Sequence, residues 1–424
     1  MSRLPEPTRA AVRRALWPGI AALVAVMGIS RFVYTPILPD MLAAEVLTLR
    51  GAGWVASANF VGYLIGALAA SRIAGRLAQS RGLRAGLVVS VLALLAMALL
   101  DGIVAWMAVR FVAGMASAFA LVFVSTQVLE RLAAIGQADR TIWLYSGVGI
   151  GIVVSALGVQ AAVAAGLPWP GTWAAAAAIA SVFAAYAWAP AGAVQAGAAR
   201  TRAVAAKPAG HPGAPEVTDP AAASVAVPVP PAAPADPPAD PPAPRAFRAA
   251  VLAYGLFGLG YVIHATYLPA MVRAAGYPPA AASWIWVLVG AVALPSIAFW
   301  RGVAQRSGAR AAIVGCYLLQ GVTALVPLFS GDSIAAAAIA ALGLGATFIP
   351  ASGLALPFAR GLDPAGSARA IGVMTAAFGA GQIVGPVAAA YLAERSGFGG
   401  PSALACGVLL AAAVLMRPRF DAVR

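Results

Sequence analysis

Charge is what this sequence has least of. Of its 424 residues, only 10% are Asp, Glu, Lys or Arg, while 62% are hydrophobic and the mean hydropathy is +0.87. Soluble domains carry about a quarter charged residues, so an ordinary soluble protein is excluded. There are two cysteines, Cys316 and Cys406, both inside apolar runs, where they read as packing residues and say nothing about redox compartment. The loops hold no Gly-rich phosphate cradle, no paired carboxylates and no acidic or histidine cluster that would bind a metal. No catalytic residue, metal or cofactor is expected. A membrane-embedded enzyme and a sensor that transports nothing stay as readings of another class.

What the chain does have is length in apolar runs. About 20 apolar residues cross a bilayer as helix. With charges and Pro/Gly breaks as borders, twelve such runs are found: 14–38, 52–73, 84–102, 104–129, 141–163, 172–190, 248–270, 282–300, 310–329, 334–358, 369–392 and 400–416. The last is short and the third and fourth nearly touch, so eleven is the alternative count. The first has Arg9, Arg13 and Arg14 before it, like a signal peptide. It is too long for one, lacks a clear small-residue cleavage site and is followed by further spans, so it reads as a retained helix. The expected fold class is an all-α integral membrane protein of twelve transmembrane helices.

The formal net charge of +14 would fit a nucleic-acid partner, but its placement argues for topology instead. With the N-terminus set in the cytoplasm, the tails and even-numbered loops hold 23 of the 28 Lys and Arg. The opposite loops hold only Arg50, Arg273 and Arg395, and Arg31 and Arg110 fall inside spans. Basic residues concentrate on the cytoplasmic side of membrane proteins. Both ends are therefore expected in the cytoplasm, with the protein in a bacterial inner membrane and no nucleic-acid partner.

Between the sixth and seventh spans the composition changes. Thirteen prolines fall in the 37 residues from Pro208 to Pro244, among Ala and a few charges. Such a stretch has no core to bury and reads as an extended, disordered cytoplasmic linker. The expected organisation is a cytoplasmic tail (1–13), a six-helix bundle (14–190), the linker (191–247), a second six-helix bundle (248–416) and a final tail (417–424). The two bundles carry a repeat. A shift of 230 lays "GISRFVYTPILPDM" (28–41) on "GLGYVIHATYLPAM" (258–271), Trp54 on Trp284, and Gly149 and Gly151 on Gly379 and Gly381. Two pseudo-symmetric six-helix bundles in parallel orientation are the pattern of a large class of transporters, with substrate held between the halves near the midplane.

The stretches after the second and eighth spans sharpen this. "GRLAQSRGLR" (75–84) and "RGVAQRSGAR" (301–310) resemble the signature loop of the major facilitator superfamily, Gly-x-x-x-Asp-Arg-x-Gly-Arg-Arg/Lys. Gly75, Gly82 and Arg84 fit it in the first half, and Gly308 and Arg310 in the second, while Gln79 and Gln305 replace its acidic residue. "RFVAGMASA" (110–118) resembles the family's Arg-x-x-Gln-Gly motif, and "GAGQIVGP" (379–386) with "RFVYTPILP" resembles the bacterial YbfB/YjiJ-type branch. The resemblance implies two six-helix halves around a central cavity lined by the first and fourth helix of each half. It also implies a gate at the signature loops, worked here by neutral amides.

Candidate site residues follow from depth and polarity. Arg31 lies eight residues before Pro39, and Arg110 eight after Gly102. At ~1.5 Å rise per residue both sit about 12 Å below one surface. An arginine facing lipid costs roughly 2.5–3.5 kcal/mol or more, so both are expected in the bundle interior or a wet cavity. One reading has the pair bind an anionic group with their planar forks; the other has Arg110 snorkel to the near interface or bond backbone carbonyls. All fourteen Asp and Glu lie in loops, tails or span ends, which weighs against a cationic substrate. His264, on the position matching Tyr34, is a proton site, a hydrogen-bond partner of the substrate or a neutral group joined to a neighbouring helix. Tyr34, Tyr261, Tyr267 and Gln382 complete the candidate set. Asn59 and Gln127 read as amides that join helices, and Gly149, Gly151, Gly379, Gly381, Gly385 and Pro386 as close helix contacts with a bend. Pro36 is expected to free a carbonyl toward the cavity. The function expected is secondary transport of a small organic solute, preferably anionic, by a monomer, with proton coupling as one option. Efflux of neutral sugars or drugs with structural arginines is the alternative.

The charge placement is directly testable. A cysteine placed at Ala222 is expected to react with a membrane-impermeant maleimide in inside-out vesicles and to be spared in intact cells. Labelling of intact cells would reverse the topology.

Overall fold

The computed structural model describes residues 6–188, 244–329, 333–363 and 366–417. The linker up to position 243 and the outer parts of both tails lie outside the described residues. Among the described residues all regular structure is helical. Eleven helices are long and apolar enough to cross a membrane: Thr8–Ala43, Leu49–Ala70, Arg76–Leu99, Ile103–Ala133, Ala138–Ala164, Trp169–Trp188, Arg245–Ala274, Pro279–Ser307, Ala309–Pro327, Ile334–Leu362 and Arg369–Ser396. A shorter apolar helix, Gly399–Leu415, follows. They are called spans 1 to 12, in two six-helix halves, and each corresponds to one of the twelve runs with its borders moved by a few residues. The face that carries the start of span 1 is called the terminal face, and the other the far face.

Burial separates central from peripheral spans. The most apolar window of span 1 is 89% buried, against 33% for span 3 and 28% for span 6. Span 1 is packed on every side, and spans 3 and 6 turn Leu92, Leu99 and Val182 outward, as helices facing lipid do.

Span 1 is not one regular helix. It runs as α-helix to Leu23, widens to a π-helix over Val24–Arg31, breaks at residues 32–33 and resumes over Tyr34–Ala43. Pro36 accounts for the break. It has no N–H to give the Phe32 carbonyl four residues back, and the Thr35 N–H takes that carbonyl instead at 3.2 Å. Breaks of this kind mark functional positions in otherwise regular helices.

The repeat seen in the sequence is present in the packing. A Cβ on Gly151 would stand 2.6 Å from the Gly28 Cα and 2.7 Å from the Val24 oxygen, so spans 1 and 5 meet backbone to backbone. In the second half Gly381 meets span 7 in the same way, where a Cβ would lie 2.6 Å from the Leu259 nitrogen and 3.1 Å from the Gly258 carbonyl carbon. Gly149 abuts Leu294 of span 8, and Gly379 abuts Leu64 of span 2. Gly28 and Gly258, Gly151 and Gly381, Gly149 and Gly379, and Leu64 and Leu294 are each 230 positions apart, the spacing of the Thr35–Ala265 contact. Gly385 also packs on span 7, near the Leu259 oxygen. The expected bend at Pro386 does not interrupt the helix, which continues as α-helix to Ser396.

Three bonds between the halves lie toward the far face. The Thr35 hydroxyl donates to the Ala265 oxygen at 2.6 Å, joining spans 1 and 7. The Ser57 hydroxyl donates to the Ile383 oxygen at 2.6 Å, joining spans 2 and 11. Arg50 pairs with Glu394 at the rim of the same seam.

The signature stretches are mostly helix rather than loop. Residues 76–84 form the first turns of span 3 and 301–307 the last turns of span 8. The breaks are held by Gly75 at φ +91° and Gly308 at φ +85°, left-handed positions that favour glycine. Helix persists because Arg, Leu, Ala and Gln, good helix formers, outnumber Gly82 and Gly302 there, and no proline falls among them.

Gly151→Ala is expected to lower the melting temperature of the purified protein, by roughly 1–3 kcal/mol of overpacking. Gly407→Ala, where a Cβ meets nothing within 4 Å, should be neutral or slightly stabilising.

Candidate functional site

A cavity of about 100 Å³ lies between the two halves, lined by spans 1, 2, 4, 5, 7, 10 and 11. Its polar wall is Arg31, Tyr63, Tyr261 and Gln382, with Tyr145, Tyr254, Ser352 and Thr375 toward the terminal face. Helical spacing explains the set. Tyr254 and Tyr261 are seven apart on span 7, and Thr375, Phe378 and Gln382 recur at intervals of three and four on span 11, so each set shares one stripe.

Arg31 is 5% exposed. Its guanidinium lies on aromatic faces, with Cζ 3.8 Å from the Tyr63 ring centre and 4.9 Å from that of Phe60. It also touches the Tyr261 hydroxyl. Nε and Nη1 find no hydrogen-bond partner. Among the described residues no carboxylate lines the cavity, so this buried cation has no counter-ion there. Opposite it, the Gln382 amide donates to the Tyr261 hydroxyl, tying span 11 to span 7. Arg31 and Tyr261 are themselves 230 positions apart. So are two further lining pairs, Tyr145 with Thr375 and Val148 with Phe378. The cavity straddles the pseudo-twofold axis with a cation on one side only.

A family profile described as "Uncharacterised MFS-type transporter YbfB" matches residues 23–214 and 221–417, nearly the whole chain. The chain belongs to this family of MFS-type transporters. No curated protein matches. Among solved structures, the crystal structure of a mutant of the nucleoside transporter NupG aligns with a TM-score of 0.65, covering 95% of this chain and 98% of that one. At 12% identity, that likeness concerns the fold alone.

Within this MFS-type fold the candidate residues divide. Arg31, Tyr261 and Gln382 share the cavity. Arg110, Tyr34, His264 and Tyr267 do not line it, and each has a partner elsewhere. Arg110 is 3% exposed and donates through Nη1 to the Ser30 oxygen at 2.9 Å and through Nη2 to the Arg31 oxygen at 3.0 Å. The broken helix leaves these carbonyls without their usual donors, and Arg110 supplies them. The carbonyls freed near Pro36 are thus bonded rather than turned to the cavity. The Tyr34 ring lies under Arg110, 5.1 Å from its Cζ, and its hydroxyl donates to the Ala52 oxygen at 3.0 Å. The Tyr267 hydroxyl donates to the Pro386 oxygen at 2.9 Å. His264 Nε2 lies 3.4 Å from the Ser402 hydroxyl, joining spans 7 and 12.

Of the amides expected to join helices, Asn59 does so, donating to the Arg110 oxygen at 2.9 Å. Gln127 does not: it accepts from Arg131 of its own helix at 3.3 Å, and its Nε2 has no partner. In the signature stretches, Arg84 stacks on Trp188 and Arg310 on Phe358, with Cζ 5.1 and 5.7 Å from the ring centres. Gly82 lies against the Phe123 ring. Arg76 reaches Glu130 at 3.4 Å, so the start of span 3 is tied to the end of span 4 by an ion pair that involves neither Gln79 nor the exposed Gln305.

Sequence reading missed Tyr63, Tyr145, Tyr254 and Thr375. The signal was available for three of them. Tyr254 repeats Tyr261 seven residues earlier, and the shift of 230 links Tyr145 to Thr375.

The two arginines should separate in a stability measurement. Arg110→Leu leaves two buried carbonyls unpaired and should cost about 2–4 kcal/mol, read as a clear drop in melting temperature. Arg31→Leu removes unpaired buried donors and should leave the melting temperature unchanged or higher.

Proposed function

We propose that this MFS-type transporter moves a small organic anion across the cytoplasmic membrane by secondary active transport. The observation that carries the reading is the buried Arg31 guanidinium, with Nε and Nη1 unpartnered, on the wall of a cavity shared by both halves. Leaving buried donors unpaired costs roughly 1–3 kcal/mol for each group. A carboxylate or phosphate-like group entering the cavity would offer these donors charge-assisted hydrogen bonds, the strong kind that a guanidinium makes with an anion. Tyr261 and Gln382 would then orient the same group or its neighbour. The rest of the lining is apolar and partly aromatic, with the Tyr261 and Phe378 rings parallel within 1° and the Tyr254 and Phe378 rings within 13°. Such a wall suits a flat or apolar body behind the anionic group. An engineered cavity of about 150 Å³ holds benzene, so about 100 Å³ admits a short acid or a small ring until the halves move apart.

The location of the inter-half bonds supports alternating access. Thr35, Ser57 and Arg50 close the far side, while the cavity lining extends to Leu356, six residues from the terminal-face end of span 10 at Leu362. This is about 9 Å of helix. With the chain ends in the cytoplasm, as the basic residues argue, the structure is closed to the outside. His264 is assigned to helix joining, because its ring contacts Ser402 of span 12 and neither residue lines the central cavity. The protein is taken to act as a monomer and without covalent chemistry of its own.

Proteoliposome uptake tests the reading. Among radiolabelled organic acids, sugars and cationic drugs, the wild-type protein should favour acids. Arg31→Gln should lower uptake on the order of 100-fold, the loss of two charge-assisted hydrogen bonds at about 1.5 kcal/mol each, with folding retained. Undiminished acid uptake by Arg31→Gln would make the arginine structural and overturn the anion site, and a wild-type preference for sugars would favour a neutral substrate.

A further inference from the structure

A second cavity, of about 370 Å³, lies outside the transport path, at the terminal face of the first half. Spans 1, 3, 4 and 6 form its walls. Spans 3 and 6 are the least buried of the first half, so the cavity adjoins lipid.

Its chemistry is one-sided. Four guanidiniums line it, Arg13 and Arg14 from the start of span 1, Arg84 from span 3 and Arg131 from span 4, and among the described residues no carboxylate does. Glu130, the nearest acid in sequence, is engaged by Arg76. Gln127 lines the same cavity with its amide oxygen held by Arg131, which leaves its Nε2 buried and without any partner. The polar set is thus dominated by donors, including a built amide donor with nothing to donate to. Around it stand Trp17, Tyr186 and Trp188, each between 44% and 56% exposed. Trp and Tyr in such positions mark the headgroup level of a bilayer. Below them the wall is apolar, made of Leu83, Leu87 and Val128.

We propose that this cavity is a binding site for one anionic phospholipid in the leaflet on the side of the chain ends. Its phosphate lies among Arg13, Arg14, Arg84 and the Gln127 amide, and its acyl chains lie along Leu83 and Leu87. Basic pockets between helices are suited to anionic headgroups, and the pairing of donors with an aromatic rim and an apolar floor matches an amphiphile rather than a soluble phosphate. The bound lipid ties the start of span 1, whose helix is broken further in, to spans 3, 4 and 6.

The test uses the full-length protein in detergent, by native mass spectrometry and thermal unfolding, with phosphatidylglycerol or phosphatidylcholine added. One phosphatidylglycerol should survive collisional activation and raise the melting temperature by several degrees, with no such effect from phosphatidylcholine. The variant Arg13→Gln/Arg14→Gln/Arg84→Gln should keep the detergent-only melting temperature and lose both effects. Equal retention of the two lipids, or of phosphatidylglycerol by wild type and variant, overturns the proposal. So does an equal rise with inorganic phosphate or glycerol phosphate, which would identify a soluble anion. Should the triple variant fail to fold, Gln127→Leu keeps all four arginines and gives the same comparison. Undiminished phosphatidylglycerol retention by that variant overturns the site.

Discussion

Inside a bilayer every backbone carbonyl must find a donor from the protein itself, and span 1 breaks that rule at the depth where the cavity lies. The π-helix ends at Arg31, Pro36 contributes no N–H, and the carbonyls of Ser30 and Arg31 lose their helical partners. Arg110 repairs the break with two hydrogen bonds across to span 1, and Asn59 of span 2 holds the Arg110 backbone in turn. Three helices are thus fixed around one irregular turn. That turn presents the Arg31 side chain to the cavity while its own carbonyl points the other way. Arg110 does not bind in the cavity, yet the position of the residue that lines it depends on Arg110.

The pseudo-twofold symmetry sets the frame, and its violation marks the site. Glycine contacts, Leu64 with Leu294 and the Thr35–Ala265 bond all obey the shift of 230. At the cavity the same shift pairs a cation with a phenol, Arg31 with Tyr261. A symmetric cation pair would repel across the axis, and a symmetric phenol pair would offer no charge. One guanidinium opposite one hydroxyl–amide pair gives the cavity a polarity along which an anion with an apolar body has a single favoured orientation.

Much of this was legible in the sequence. The spans follow from hydropathy, the halves from the proline-rich linker and the repeat, and the two buried arginines from a census of charge. What the sequence could not convey was the facing of individual side chains. Arg31 and Tyr34 are three apart and would share a face on a regular helix, but the break at residues 32–33 turns Tyr34 toward Ala52 and away from the cavity. Tyr261, His264 and Tyr267 stand on a regular helix, where three residues turn the side chain by about 60° and six by about 120°. This is enough to send His264 to span 12 and Tyr267 to span 11. Similarly, the signature stretches read as loops from their Gly and Arg content, whereas a single left-handed glycine in each is all the turn that the chain requires.

The seams show how halves held this tightly can still move under the proposed mechanism. Gly149 against Leu294 and Gly379 against Leu64 place a flat glycine surface under a leucine at both inter-half seams, and Gly149 with Gly290 brings backbones close between spans 5 and 8. Such contacts are built from dispersion over smooth surfaces and resist rotation less than interlocked large side chains would. The directional bonds, Thr35 to Ala265, Ser57 to Ile383 and Arg50 to Glu394, lie to one side of these seams. Breaking those few bonds while the glycine surfaces stay in contact amounts to rocking about the middle of the membrane. Since the glycine seams obey the repeat, the motion that opens one side can close the other with the same surfaces as its pivot.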